Sequence, residues 1–379
     1  MKVAVVHDWL TGMRGGEKVL EAILELYPDA PLYTLLHIKG SVSPLIENRR
    51  LFTSFIQKLP QAQTRYRYYL PLFPKAIESF DLSGYDLILS SSHCVAKGVL
   101  TRGTPHLSYI HSPMRYMWDL FEQYFSKNQV SKTTRLAAKT LRPLLQNWDK
   151  KSSARVTRFV ANSSYIADRI QRCYGRESTV IHPFVDLDRF HLKINPDEMP
   201  TELKKKLPER YFLILSAFAP YKKIEVAIEA AERNNFPLVV AGDGQEKARL
   251  LSLQGKNTTF LISPPDDWIP HLYKNALALL FPGTEDFGIT PLEAMASGTP
   301  VIAFARGGQL ETVTPQTGVF FQNQDCHSLA NAMMPVWSGK IQLDPQKCRE
   351  RAAQFSKSLF KEKFLKEIEL TLENPNTRK

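Results

Sequence analysis

Short, continuous apolar runs alternate with helical patterns along this chain, and that alternation limits the fold more than any other feature. Residues 2–7 (Lys-Val-Ala-Val-Val-His) read as a buried strand, as do 85–90, 106–110, 158–161 and 179–181. A similar series starts again at 211–216 and continues at 237–241, near 259–262, 278–281 and 300–304. Between strands the apolar residues fall at helical spacing, as with Val19, Leu20, Ile23, Leu24 and Leu26, or Ile224, Ala227, Ile228 and Ala231. Strands that alternate with helices require parallel sheets joined by right-handed crossovers. The expected class is α/β, with two doubly wound domains whose strand ends face a common cleft.

The 379 residues suit two domains, each able to bury its own core. His182-Pro183-Phe184-Val185-Asp186 interrupts the alternation and reads as a linker, giving domains at 1–185 and 186–350. An amphipathic stretch at 352–372 carries Phe355, Leu359, Phe360, Phe364, Leu365 and Ile368, so 351–379 is set apart as a C-terminal helix. No stretch approaches the ~20 apolar residues of a membrane span. The strand pattern directly after Met1-Lys2 is not that of a signal peptide, and the four dispersed cysteines suit a reducing compartment rather than a zinc site. A cytoplasmic protein is expected.

The net charge of +11 belongs almost wholly to the first half: residues 1–190 hold 26 Lys+Arg against 16 Asp+Glu, and residues 191–379 hold 23 against 22. Residues 49–75 contain six basic residues and no acid, interleaved with Phe52, Phe55, Tyr66, Tyr68, Tyr69 and Phe73; residues 126–158 contain nine basic residues and only Asp149. Such a surface suits an anionic membrane face or a lipid-diphosphate acceptor. A solvated basic face with no partner is the alternative. No nucleic-acid motif accompanies the charge, so nucleic acid is not an expected partner.

The most informative local string is Thr284-Glu285-Asp286-Phe287-Gly288-Ile289-Thr290-Pro291-Leu292-Glu293-Ala294-Met295-Ala296-Ser297-Gly298. It reads as a loop and a short helix, with Thr290 as N-cap, Pro291 at the first helical position and Gly298 as the left-handed stop. A helix start presents free N–H groups and a positive dipole end to an anion. Glu293 has two readings: partner of Thr290 in a capping box, or ligand contact. Glu285 lies in a loop where no helix needs it.

Glu285, seven residues, Glu293, then Ala-Met-Ala-Ser-Gly-Thr-Pro-Val-Ile-Ala resembles the signature of retaining, nucleotide-sugar-dependent glycosyltransferases with two Rossmann-like domains, the GT-B plan. The likeness is closest to family 4 (group 1), which includes bacterial surface-polysaccharide mannosyltransferases. It extends over roughly residues 2–330. The resemblance implies that Glu285 bonds sugar hydroxyls, that backbone at Phe287, Gly288 and Ile289 holds the sugar, that Thr290, Pro291 and Leu292 face the diphosphate, and that Glu293 meets the ribose. It also implies that the C-terminal helix crosses back to the first domain.

Other residues enter through the same resemblance. Lys222 matches a lysine that grips the donor diphosphate and stabilises its departure; Ala217 stands where the family has an arginine, and Lys223 is available to compensate. Gly15 and Gly16 follow the first strand and permit close approach of a phosphate. They do not form Gly-x-Gly-x-x-Gly. His111, in Tyr109-Ile110-His111-Ser112-Pro113-Met114-Arg115-Tyr116-Met117-Trp118-Asp119, resembles a histidine near the transferred sugar in a subgroup that includes mannosyltransferases. Asp8 and Arg115 are expected on the acceptor side. Asn162-Ser163-Ser164 resembles the family's interdomain segment.

The expected catalytic set is thus His111, Glu285 and Lys222, with no protein nucleophile, no cofactor and no metal; Asp186-Leu187-Asp188 reads as a turn. The expected partners are a nucleotide sugar, GDP-mannose ahead of UDP-glucose, and a lipid-linked or saccharide acceptor met at the inner membrane face. Two other classes stay open: a sugar-nucleotide epimerase on the same architecture, and a non-catalytic partner protein, which the alanine at 217 would suit.

Overall fold

The computed structural model describes residues 1–125, 131–193, 195 and 198–373. Ser126 and Lys127, which begin the second basic run, lie outside the described residues. The chain divides into two compact units. Residues 1–182, with the chain from Phe360 onward, make the first; Pro183–Leu359 make the second. The passages between units therefore fall at 182/183 and 359/360, against sequence boundaries at 185 and 350.

Among the described residues the first unit holds seven parallel strands: β1 (Val3–His7), β2 (Leu32–Thr34), β3 (Leu51–Thr53), β4 (Leu87–Ser92), β5 (His106–Ile110), β6 (Arg158–Ala161) and β7 (Thr179–Val180). Their order is β3-β2-β1-β4-β5-β6-β7. Every residue of β1, β4 and β5 is buried, as expected where helices cover both faces of a parallel sheet. The strand order reverses between β1 and β4, which pair from Val3↔Leu87 to His7↔Ser91. In open parallel sheets ligands bind beyond the carboxyl ends of strands at such a reversal.

The second unit repeats the plan with β8 (Phe212–Leu215), β9 (Leu238–Gly242), β10 (Thr258–Ile262), β11 (Ala278–Phe281), β12 (Val301–Phe304) and β13 (Gly318–Phe321). The order β10-β9-β8-β11-β12-β13 puts its reversal between β8 and β11. Side chains alternate across this sheet with period two. Leu213, Val239, Leu279 and Val301 pack on one face, and Phe212, Leu238, Leu280 and Ile302 on the other.

Four features differ from the sequence reading. β4 runs two residues further than expected, because Ser91 and Ser92 pair with Tyr109 and Ile110 of β5; neighbours override the weak strand preference of serine. The short strands β2, β3 and β13 carry too little local pattern to be expected. The helix expected at 352–372 is two helices, Pro345–Ala353 and Lys357–Glu373. The break lies at buried Phe355, whose carbonyl accepts the Val185 N–H at 3.0 Å. Finally, the aromatic residues of 49–75 are mostly core. Tyr66 and Phe73 are buried against Trp9, and Phe52 stacks on Tyr33 at 4.8 Å. Tyr68, 74% exposed, is the exception.

Candidate active site

The loops after β8 and β11 flank the reversal of the second sheet. After β8 the chain passes the exposed Ala217 and makes a single 3-10 turn, Pro220–Lys222; Lys223 then takes a left-handed conformation (φ 55°) as N-cap of the helix Ile224–Asn234. Lys222 therefore precedes the helix instead of opening it. The loop after β11 comes very close. A Cβ on Gly283 would sit 2.8 Å from the Tyr221 carbonyl oxygen and 2.9 Å from the Lys222 Cα, so only glycine fits. This approach puts the Lys222 ammonium against the Glu285 carboxylate, an ion pair with side chains 17% and 11% exposed. The Glu285 backbone is fixed in turn, its carbonyl accepting the Gly308 N–H at 2.9 Å.

The short helix after this loop spans Ile289–Ala296. Its N-cap is Gly288 (φ 88°), not Thr290, and Pro291 is the third helical residue, not the first. The glycine turns the chain sharply enough to start the helix two residues early. Of the residues expected at the diphosphate, Pro291 has no N–H and is buried with Leu292; the first N–H groups of the helix belong to Ile289, expected at the sugar, and Thr290. Phe287 is buried and its ring lies 6.0 Å from that of Phe355. Gly298 does take the left-handed conformation (φ 84°) after the helix.

The capping-box reading of Glu293 is overturned. Its Oε2 accepts the Tyr273 hydroxyl at 2.8 Å, from the neighbouring helix Trp268–Lys274. Burial raises the Glu293 carboxyl above its ordinary value, and the Tyr273 hydrogen bond offsets this in part. Lys223 points its ammonium 3.7 Å from Glu225 Oε1. Asp186 accepts the backbone N–H groups of Asp188 and Arg189, as a turn does.

In the first unit, the carboxyl ends of β1, β4 and β5 gather a histidine cluster. His7 Nδ1 and His111 Nε2 both meet the Ser91 hydroxyl, at 3.2 and 2.8 Å. The hydroxyl has a single proton to give, so at least one of the two rings donates to it. Gly16, in the first turn of the helix Gly15–Leu26, lies beside His111: a Cβ there would be 3.7 Å from Nε2. Asn162 donates to the His111 carbonyl at 3.0 Å, and Ser163 caps the helix Ser164–Tyr174. Burial holds His111 well below the ordinary histidine range, so its ring is neutral.

Asp8 does a different task from the one expected. It is fully buried. Its Oδ2 accepts the N–H groups of His93 and Cys94 (2.6 and 3.0 Å) and its Oδ1 those of Val95 and Ala96 (2.6 and 2.7 Å). Four donors occupy the carboxylate, so it ties the end of β1 to the turn after β4 and offers nothing to an acceptor sugar.

His93 was missed in the sequence. Its Nδ1 lies 3.1 Å from Asp8 Oδ2, and its ring stands edge-on to Trp9 at 4.4 Å and 6.5 Å from His111. Burial, then the His7 charge, pushes it down to about 3. The signal was its place directly after β4, hidden because the strand was expected to stop at Ser90.

The geometry can now be set beside known proteins. Residues 196–355 match the family model for group 1 glycosyl transferases, and residues 35–189 match that for Glycosyltransferase Family 4. Among curated relatives, the O-antigen chain mannosyltransferase C of Escherichia coli is 25% identical over 60% of this chain and 62% of its own. The O-antigen chain mannosyltransferase RfbU of Salmonella typhimurium is 31% identical over 40% of this chain and 43% of its own. The chain thus spans about half the length of such relatives. Among solved structures, Anabaena HepE in complex with UDP shares the fold: TM-score 0.71 at 18% identity, over 97% of this chain and 100% of that one. The two family matches together take in five of the first sheet's seven strands and all of the second sheet's, and the chain belongs to the family 4, group 1 glycosyltransferases with the GT-B fold.

Proposed function

We propose that this protein is a retaining hexosyltransferase of surface-polysaccharide assembly, moving mannose from GDP-mannose onto a lipid-linked or saccharide acceptor. The observation that carries the reading is the Lys222–Glu285 pair at the reversal between β8 and β11. A cation and a carboxylate, side by side next to a helix start, fit a ligand with a diphosphate at one end and a polyol at the other. Mannose is favoured by the mannosyltransferase relatives. A UDP-hexose is the alternative donor, favoured by the UDP that HepE holds.

In the reaction, the acceptor hydroxyl forms a new bond to the sugar C1 as the C1–phosphate oxygen bond breaks. Positive charge grows on the sugar ring and negative charge on the leaving nucleoside diphosphate. Lys222 and the first N–H groups of the Ile289–Ala296 helix stabilise the leaving group. Glu285 accepts hydrogen bonds from sugar hydroxyls, and Glu293 from the ribose. The leaving phosphate takes the acceptor's proton on the same face, so no protein nucleophile is required. Gly15, Gly16, His111 and Arg115 serve the sugar and acceptor side, with His111 as a neutral hydrogen-bonding ring. Among the described residues no helix is long and apolar enough to cross a membrane. In this reading a lipid-linked acceptor is met at the inner membrane face.

The test is transfer by Glu285→Gln. Radiolabelled mannose from GDP-mannose should reach a lipid-extractable product with the wild type and not with the variant. Wild-type turnover by the variant would remove Glu285 from the mechanism. Formation of an epimer of the donor without any acceptor would replace transfer by epimerisation.

A further inference from the structure

Glu17, His7, Ser91 and His111 form a line through the first unit, and of these only His111 has a part in the proposed transfer. Glu17 is the third residue of the helix Gly15–Leu26, and its Oε2 accepts the Arg14 N–H at 3.0 Å. Its Oε1 lies 3.8 Å from His7 Nε2, and both side chains are buried. His7 Nδ1 meets the Ser91 hydroxyl at 3.2 Å, and that hydroxyl meets His111 Nε2 at 2.8 Å. The sheet sets this spacing. His7 and Ser91 pair across β1 and β4, so their side chains leave the sheet on the same face. His111 directly follows β5, the next strand.

With both rings neutral, a proton count along the line has one favourable solution. Burial works against charge on Glu17, but the facing His7 ring outweighs it and holds the carboxyl below its ordinary value, so Glu17 is charged at neutral pH. No hydrogen bond reaches His7 Nε2 among the described residues, and the carboxylate is what it faces. A carboxylate attracts an N–H and repels a bare lone pair, so the His7 proton sits on Nε2. His7 Nδ1 is then an acceptor, and the fully buried Ser91 hydroxyl donates to it. The Ser91 oxygen is left to accept, and His111 supplies the proton from Nε2. The reverse order would turn the His7 lone pair onto the carboxylate. Two donating rings would leave the Ser91 proton buried without an acceptor.

We infer that Glu17, His7 and Ser91 are positioning residues that fix His111 as its Nε2–H tautomer and so present its Nδ1 as a hydrogen-bond acceptor. Among the described residues no hydrogen bond occupies His111 Nδ1. An acceptor nitrogen holds a ligand hydroxyl by the hydroxyl's own proton and has nothing to offer an ether oxygen. An N–H at the same place would accept either. The line therefore makes His111 selective for a free hydroxyl. That consequence for the sugar rests on the proposed function; the tautomer does not.

The full chain, isotope-labelled in its histidine ring nitrogens, would be read by long-range proton–nitrogen correlation near pH 8, above the ordinary histidine value. His111→Gln assigns the signals. In the wild type His111 should show a protonated Nε2 and a bare Nδ1. Ser91→Ala should mix the two tautomers, and Ser91→Thr, which keeps the hydroxyl, should keep the wild-type pattern. Glu17→Gln, which removes the charge but keeps an acceptor for the Arg14 N–H, should also mix them. In sugar transfer Ser91→Ala should lose ~10-fold in kcat, as for one hydrogen bond, with nucleotide affinity unchanged. A protonated Nδ1 at His111 in the wild type overturns the inference, and that reading depends on no variant. So does a wild-type pattern that persists in both Ser91→Ala and Glu17→Gln. The expected tautomer in a chain that neither binds nucleotide nor transfers sugar would sink the proposed function and leave the positioning line standing.

Discussion

The Lys222 ammonium rests against the Glu285 carboxylate, one residue from each loop that borders the sheet reversal of the second unit. Within this pair each charge compensates the other. Lys222→Met leaves Glu285, 11% exposed, without a cation and should lower ligand-free stability by ~1–3 kcal/mol. Urea unfolding of Lys222→Met, Glu285→Gln and the double variant measures this. The double variant should recover most of the loss. A coupling energy near zero would mean that the two side chains do not act as a pair.

Glu293 gives a prediction with a pH sign. Its folded carboxyl titrates above its ordinary value of 4.5, because burial disfavours the charge. The folded state thus binds more protons than the unfolded state just above that value, and stability falls as pH rises through the folded value. Glu293→Gln keeps an acceptor for Tyr273 and has no charge to bury. It should melt higher than the wild type at pH 7, with the gain shrinking as pH approaches 4.5, while its nucleotide affinity drops. Unchanged affinity would leave Glu293 with a structural task only.

Buried histidines of the first unit predict the opposite slope. Burial pushes His106 down to about 3, and its Nε2 meets the Ser90 hydroxyl at 2.7 Å. The unfolded chain takes up this proton near the ordinary 6.5, so stability is full above that value and is lost as pH falls from 6.5 towards 3. Each such ring contributes at most ~1.4 kcal/mol per pH unit. Denaturation midpoints between pH 7 and 5 should fall less steeply in His106→Gln. An equal slope would show that other groups dominate.

Asp8 should behave as a structural residue. Asp8→Asn removes the charge that four N–H groups share and should cost ~2–3 kcal/mol of stability. A folded Asp8→Asn with wild-type stability and a selectively raised acceptor KM would return Asp8 to the acceptor side.

The sequence was most legible where local pattern and global fold agree. Buried strands such as Val3–His7 and Ala278–Phe281 declare themselves, because parallel strands covered on both faces need unbroken apolar runs. Three-residue strands such as Leu32–Thr34 do not, since their pairing comes from neighbours. The Glu285–Glu293 string was found but its local capping was misread. Thr-Pro imitated a helix start, while a positive-φ glycine two residues earlier and a tyrosine twenty residues earlier in sequence, Tyr273, decided the outcome. His93 shows the other limit: its neighbours Asp8 and Trp9 are over 80 residues away in sequence, and no local spacing reports such contacts.

The most direct test of the central claim is a calorimetric titration of the purified chain with GDP, UDP and ADP, without added metal. GDP should bind, and Lys222→Ala should weaken it by ~10-fold or more, as loss of a charge-assisted contact requires. A preference for UDP would contradict the GDP-mannose assignment while keeping the site. Binding of none of the three would contradict the transferase itself and leave Ala217, in place of the family's arginine, as the mark of a protein that has the fold without the reaction.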